Sequence, residues 1–349
     1  MVSSTSWRSP CARVRSERDA VARLPGEFDL IARYFAPLAA GMPGALGLTD
    51  DACTLTPPPG QELVLTVDAL VAGIHFLPED PPDLVARKML RVNLSDLAAK
   101  GATPLGYLMA TAFSPDIDEA WVAAFTRGLA ADQAEFGLGL MGGDTVATPG
   151  PLTLSLTAIG SVPTGRALRR NGAKPGDVVL VSGTIGDGAL GLKVLRHEFL
   201  DAPADDRHFL SDRYHLPQPR VTLGQALLGT GHVHAMMDVS DGLVADLTHI
   251  AEASGVGAIL RATDVPLSDP AAAILADQPD LLPLLLTGGD DYELLLTASP
   301  DAVADLLGLA AELDVPLTVI GDIVSGRGVD VIDRDGAALE IGSSGFRHF

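Results

Sequence analysis

Aspartate recurs behind glycines, small residues and apolar runs along this chain. Asp50 and Asp51 stand in LTDDA, Asp68 in LTVDAL, Asp96 in VNLSDLAAKG and Asp144 in LMGGDT. Asp238 and Asp241 follow in DVSDGL, and Asp290 and Asp291 in LTGGDDYEL. A single carboxylate at a strand end or helix start is an ordinary cap for backbone N–H groups, and Asp83 and Asp118 have the positions of such caps. A repeated set asks for more. Carboxylates gathered in one place raise one another's pKa and repel unless a cation lies between them. All-oxygen ligation favours Mg2+ or Mn2+, and no cysteine or histidine cluster beside these acids argues for zinc. Magnesium held by a few carboxylates commonly shares its coordination with substrate phosphates, so the pattern predicts phosphate chemistry.

Phosphate binding also needs cations and free backbone N–H groups. Arg166, Arg169, Arg170 and Lys174 cluster in GSVPTGRALRRNGAKPGD, and MGGDT can offer N–H groups while Asp144 holds metal. The spacing does not rank Arg170 above Arg166. No GxxxxGK[ST] stretch is present, so the chain carries no P-loop motif, and the kinase HRD and DFG marks are absent. SGTIGDGALG lacks the lysine of a phosphate loop and reads as a strand-to-helix turn. His75, in a loop of small residues seven positions after Asp68, reads either as a structural histidine or as a donor to an anionic substrate. His249 has the place of a surface or packing residue, and His232 and His234 alternate as strand residues do.

The bulk properties agree with a metal-dependent enzyme of small anions. Of 349 residues, 47% are hydrophobic and 20% charged, enough for two domains with real cores. A formal charge of -21 disfavours nucleic acid and anionic membranes as partners, and would repel a nucleotide unless cations intervened. Cys11 and Cys53 are too few for a disulfide scaffold, which fits a reducing cytoplasm. The basic stretch over residues 1–25 has no apolar core and reads as a disordered tail.

Elements that would position the acids can be read in outline. GEFDLIARYFAPLA predicts a short amphipathic helix and ELVLTVD a buried strand. A helix from PPDLVARKML to LAAKG has Pro82 in its first turn and Gly101 at its end, and puts Asn93 and Asp96 three apart, toward one site. TPLGYLMATAFS, LGLMGGD and PLTLSLTAIGSV predict strands, and DEAWVAAFTRGLAADQAEFG a helix with Trp121, Phe125 and Leu129 inward. The turn-rich RRNGAKPGD marks a boundary near residues 163–176. Beyond it DVVLVSG, DYELLLTA and PLTVIGDIV predict strands, with DGALGLKVLRHEFL, DGLVADLTHIAEASG and DAVADLLGLAAEL as helices. The expected fold is α/β (α+β), with an N-terminal domain over 26–163 and a C-terminal domain over 164–349 meeting at a cleft.

These motifs, from GEFDLIARYF through LTDDA, TVDALVAGIHF, VNLSDLAAKGA, LMGGDT, GRALRRNGAKPGD, DVSDGL and GGDDYEL to GFRHF, resemble in order those of the thiamine-monophosphate kinase family. Singly, several also resemble aminoimidazole ribonucleotide synthetase and selenophosphate synthetase. The resemblance implies an aminoimidazole-ribonucleotide-synthetase-like fold and a homodimer whose N-terminal sheets together form a barrel. It implies ATP- and Mg2+-dependent phosphorylation of thiamine monophosphate to thiamine diphosphate, with potassium as a common monovalent assistant.

On these residues the resemblance implies metal ligation by Asp51, by the region of Thr66, Val67 and Asp68, and by Asp96, Asp144, Asp238 and Asp241, with Asp96 bridging ions. It puts Gly143, Asp144, Arg170 and Ser240 on ATP, and His75, Asp290 and Phe346 on the thiamine phosphate. Asp96, Asp144 and Asp241 would carry the catalytic charge. Val67 departs from the family's usual threonine, leaving its carbonyl as the contact, and Asp290 stands where glutamate is frequent. A rival member of the superfamily, selenophosphate synthetase, usually wants a reactive cysteine, and Cys11 lacks the glycine-lysine setting for that. A noncatalytic nucleotide- or cation-binding protein is the rival of another class.

Overall fold

The computed structural model describes residues 24–341. Phe346 lies outside them, as does the expected tail except for its last two residues, of which Leu24 packs against the core. The first sheet holds β1 (Gln61–Val71), β2 (Thr103–Phe113), β3 (Leu140–Ala147) and β4 (Thr153–Pro163), in the order β1-β4-β2-β3. Strand β4 is antiparallel to both neighbours, while β2 and β3 run parallel through the crossover helix Glu119–Phe136. Asp118 caps that helix, accepting from Trp121 N at 2.8 Å, and Gly137 ends it in the left-handed region. Asp83, expected as a cap, sits inside the first turn of the helix Pro82–Ala99 and makes no capping bond. Proline at the start of that helix leaves one orphan N–H fewer to satisfy.

One face of this sheet is covered and the other is open. Leu154, Leu156 and Ala158 of β4 are fully buried toward the two helices, whereas Leu65 and Val67 of β1 stay 61% and 62% exposed. Side chains alternate across a strand, so paired rows share a face. Asp68 shares its row with Leu156 and Met109, on the covered side, while Asp144 shares a row with Ala110, Ser155 and Ala69, on the open side.

The second sheet holds β5 (Val178–Ser182), β6 (Val233–Asp238), β7 (Gly257–Arg261), β8 (Leu294–Ala298), β9 (Leu317–Val324) and β10 (Gly328–Ile332), ordered β10-β7-β9-β5-β8-β6. The halves share one apolar core that runs from Leu30 and Leu94 to Leu296 and Leu306. Polar ties cross the same seam: Arg91, 2% exposed, pairs with Asp132 and donates to Pro217 O.

Several elements differ from expectation for local reasons. The first helix breaks into α, π and 3-10 turns over Glu27–Leu30, Ile31–Phe35 and Ala36–Ala39, where Pro37 removes a helical donor. The helix Asp187–Leu195 stops four residues after Gly191, ahead of His197 and Phe199, which have positive φ. Strand β8 starts only at Leu294 because Tyr292 has φ 53°, outside the extended region.

Candidate active site

The helix Pro82–Ala99 lays its stripe Lys88, Val92, Asp96, spaced by four, along a cavity of about 860 Å³ between the halves. Asp68 enters from β1, Asp238 from the end of β6, and Asp241 from the turn before the helix Leu243–Ser254. His75, Ser240 and Asp290 line the same space. The carboxylates feel one another. Burial first, then the charges of Asp96 and Asp241, push Asp68 up to about 6. Burial and then Asp96 push Asp238 up to about 7.

Hydrogen bonds aim the group. Thr66 Oγ1 donates to Asp96 Oδ2. Ser95 Oγ donates to Asp238 Oδ2 at 2.6 Å, across the halves. Asn93, expected to share a site with Asp96, is instead fully buried and donates to Met89 O at 3.0 Å, so it takes no part in the cavity. The Val67 side chain points to the open sheet face, away from Asp68 and Asp96.

Asp246, which sequence reading passed over, holds the turn that carries Asp241. Its Oδ2 accepts from Ser240 N at 3.0 Å and Asp241 N at 3.1 Å, and burial pushes it up to about 8. Asp241, Asp246 and the exposed His249 bring ligand atoms within 4.8 Å of one another. Lys100, its pKa lowered by burial and by the nearby positive charge of Arg170, interacts with Asp238 and Asp96. Arg166, Arg169 and Arg170 are all exposed, and Arg170 is the one whose charge reaches Lys100.

Asp51, Gly143 and Asp144 line a second cavity of about 440 Å³, with apolar walls that include Ile31, Phe35 and Met141. The two cavities share no lining residue. The strand expected over LGLMGGD is β3, which runs on past Asp144 to Ala147. Gly143 is glycine because a Cβ there would lie 1.9 Å from Met109 O on β2. The glycines therefore serve close strand approach, with Asp144 displayed on a free edge.

GGDDYE divides its labour residue by residue. Gly289 lets the loop press on the Ser240 turn, since a Cβ would meet Ser240 O at 2.3 Å. Asp290, at φ 71°, faces the larger cavity. Asp291 turns away and accepts from Gly186 N at 2.7 Å and Gly188 N at 3.1 Å, at the start of the helix Asp187–Leu195. Tyr292 OH donates to Asp290 Oδ1 at 3.2 Å. Glu293 is fully buried beneath Arg213, Arg220 and Ser182, and the arginines hold its carboxyl below the usual range against the opposing effect of burial.

His75 Nδ1 accepts from Val71 N at 3.0 Å, which places the proton of a neutral ring on Nε2. His234 lies in β6 and pairs with Asp177 at 2.8 Å, a structural role. Lys88, Ser95, Tyr214 and Tyr292 also escaped sequence reading. For Lys88 a signal existed, a charge eight residues before Asp96 inside a helix with an apolar stripe. Tyr292 offered none, because nothing in its residue type announces a positive φ.

An all-carboxylate cluster with raised pKa values, and hydroxyls rather than sulfur or imidazole at its centre, suits a hard divalent cation such as Mg2+.

Comparison with known proteins places this geometry. The AIR synthase related protein N-terminal domain matches residues 49–162 and the C-terminal domain residues 174–334. Thiamine-monophosphate kinase of Caulobacter vibrioides is 46% identical over 336 residues, covering 93% of this chain and 94% of that protein. The crystal structure of thiamine-monophosphate kinase from Stenotrophomonas maltophilia superposes with TM-score 0.80 at 42% identity, over 90% of this chain and 98% of that one. AaThiL complexed with AMPPCP and TMP superposes with TM-score 0.73 at 30% identity, over 86% and 91% of the two chains. No helix among the described residues is long and apolar enough to cross a membrane. On fold, site and sequence together, the chain belongs to the AIR synthase related proteins and, within them, to the thiamine-monophosphate kinase family.

Proposed function

We propose that this protein transfers the γ-phosphoryl group of ATP to thiamine monophosphate, giving thiamine diphosphate and ADP. The observation that carries the reading is the convergence of Asp68, Asp96, Asp238 and Asp241 from both halves on a cavity that also holds His75 and Asp290. Its likeness to AaThiL complexed with AMPPCP and TMP supports the same substrates here. The cytoplasm is the proposed place of this reaction, which a chain with only two cysteines fits.

Both reactants are anions, so charge and orientation dominate the barrier. Asp51, Thr66, the Val67 carbonyl, Asp68, Asp96, Asp144, Asp238 and Asp241 would hold Mg2+. When bound, Mg2+ would neutralise phosphate charge on the two anionic reactants. Gly143, Asp144 and Ser240 contact ATP and Arg170, whose charge reaches Lys100, holds its phosphates. His75 and Asp290 hold the thiamine phosphate, with Phe346 a proposed wall for its rings. The acceptor phosphate is largely ionised near neutral pH, so no side chain needs to remove a proton. Potassium is a proposed assistant, read out by exchanging it for sodium.

A homodimer is part of the proposal because one copy cannot assemble the whole acid set. Strands β1 and β3 are opposite edges of the sheet. Three strand spacings hold Asp68 and Asp144 about 14 Å apart. Sheets of two copies joined edge to edge into a barrel would bring the Asp144 strand of one beside the Asp68 strand of the other. The open apolar face at Leu65 and Val67 would be buried inside.

The test is ADP release with varied acceptor. Thiamine monophosphate should support magnesium-dependent turnover and thiamine should not. Equal turnover with both, or turnover surviving complete chelation of divalent ions, would overturn the reading.

A further inference from the structure

Lys88 is an unusual lysine. It is 2% exposed, yet its ammonium reaches the wall of the larger cavity. The Nζ lies 3.2 Å from Asp290 Oδ2 and 3.4 Å from the centre of the Tyr214 ring, on the ring face. A buried cation survives only where opposite charge or a π face replaces water, and here both do. Lys88 belongs to the first half of the chain, and Tyr214 and Asp290 to the second.

The Asp290 carboxylate is held at both oxygens. Lys88 takes Oδ2 and the Tyr292 hydroxyl takes Oδ1, at 3.2 Å each. The backbone of Asp290 is itself bent to φ 71°, tied by its N–H to Ser240 O at 3.0 Å. With a side chain still 30% exposed, Asp290 presents fixed acceptor lone pairs to the cavity. The anchored carboxylate lines the same cavity as the metal-type acids Asp68, Asp96, Asp238 and Asp241. Left without Lys88, it would keep only the Tyr292 hydroxyl to hold it away from them.

We infer that Lys88 and Tyr292 are positioning residues that reserve Asp290 for the cationic, amino-bearing ring system of the acceptor substrate and keep it out of the metal-holding set. The inference rests on the kinase reading above and deepens its acceptor site. Lys88 acts through Asp290, fixing Oδ2 while leaving the outward lone pairs of the carboxylate for an N–H donor or a delocalised cation.

A double-mutant cycle separates this from a structural role. Lys88→Met and Asp290→Asn should each raise KM for thiamine monophosphate tenfold or more, with KM for ATP within threefold of the parent. The double variant should be no worse than Asp290→Asn alone, within twofold, because Lys88 has nothing left to position. An unchanged KM in Lys88→Met, or effects that multiply in the double variant, would overturn the inference. Should Lys88→Met fail to fold, Tyr292→Phe decides. It should raise the same KM about threefold, less than the lysine change because a neutral hydrogen bond is weaker. No change there would overturn the inference. The parent protein keeps the two readings apart. If it does not phosphorylate thiamine monophosphate, the kinase reading fails; if it does and the variants match it, only the positioning role fails.

Discussion

Ser95 Oγ donates to Asp238 Oδ2 at 2.6 Å, and both groups are buried between the two halves of the chain. The next residue along the same helix, Asp96, faces the cavity. One helical step thus fixes an acid of the second half and contributes another from the first. Ser95→Ala leaves the Asp238 oxygen without its donor in a buried place. We expect a loss of about 1–3 kcal/mol in stability and roughly tenfold in kcat/KM, equivalent to about 1.4 kcal/mol. Urea unfolding and steady-state kinetics on the same preparation check both. Parent-like values in the two assays would show the bond to be incidental.

Burial, and then acid crowding, gives the metal-free protein a distinctive pH response. Asp68 is pushed up to about 6, Asp238 to about 7 and Asp246 to about 8, from an ordinary value of 3.8. Between those limits these three groups bind more protons in the folded chain than in the unfolded one, so the stability they contribute falls as pH rises. Glu293 works in the opposite sense, because its carboxyl is lowered from 4.5, and its contribution is already complete above that value. In EDTA the melting temperature should therefore drop from pH 5.5 to pH 8. Added Mg2+ needs ionised ligands and should raise it most at pH 8, closing the gap. A melting temperature that climbs to pH 8 without metal would contradict the crowded cluster.

Gly143 marks how much of the site could be read from the chain and where reading failed. The acids of LTVDAL, VNLSDLAAKG and DVSDGL were legible because an apolar run ending in aspartate needs a reason, and those side chains meet in one cavity. The Gly-Gly pair was legible as special, but its cause was not. Glycine signals a turn and a close approach equally, and only the neighbouring strand decides. Asp291 misled in the same way, since a helix start 105 residues earlier in the sequence claims it. Lys88 and Tyr214 were hidden because their partners are distant in sequence.

The glycine account makes its own forecast. Gly143→Ala forces a Cβ to 1.9 Å from Met109 O, whereas Gly142→Ala meets only the Leu108 side chain at 3.2 Å. Backbone cannot yield as a leucine methyl can. Gly143→Ala should cost at least about 2 kcal/mol more than Gly142→Ala. Denaturant midpoints for the pair measure this directly, and equal midpoints would mean that the close strand approach is not what requires glycine at 143.

The opposite edges occupied by β1 and β3 lead to the most demanding forecast. Asp96 works beside Asp68, and Asp144 lies across the sheet in the other cavity. If two copies complete each site, one supplies Asp96 and its partner supplies Asp144. Asp96→Asn alone should cut kcat at least 100-fold, about 2.7 kcal/mol of transition-state stabilisation, and Asp144→Asn should also inactivate. Unfolding and refolding the two variants together yields mixed dimers in which one site carries both changes and the other carries neither. Random pairing of two such copies makes about half the dimers mixed, so roughly a quarter of parental activity should return. Each variant refolded alone controls for the treatment. Recovery no greater than their sum would mean that Asp96 and Asp144 serve within one chain, or that no dimer forms, and light scattering on the refolded mixture tells those two outcomes apart.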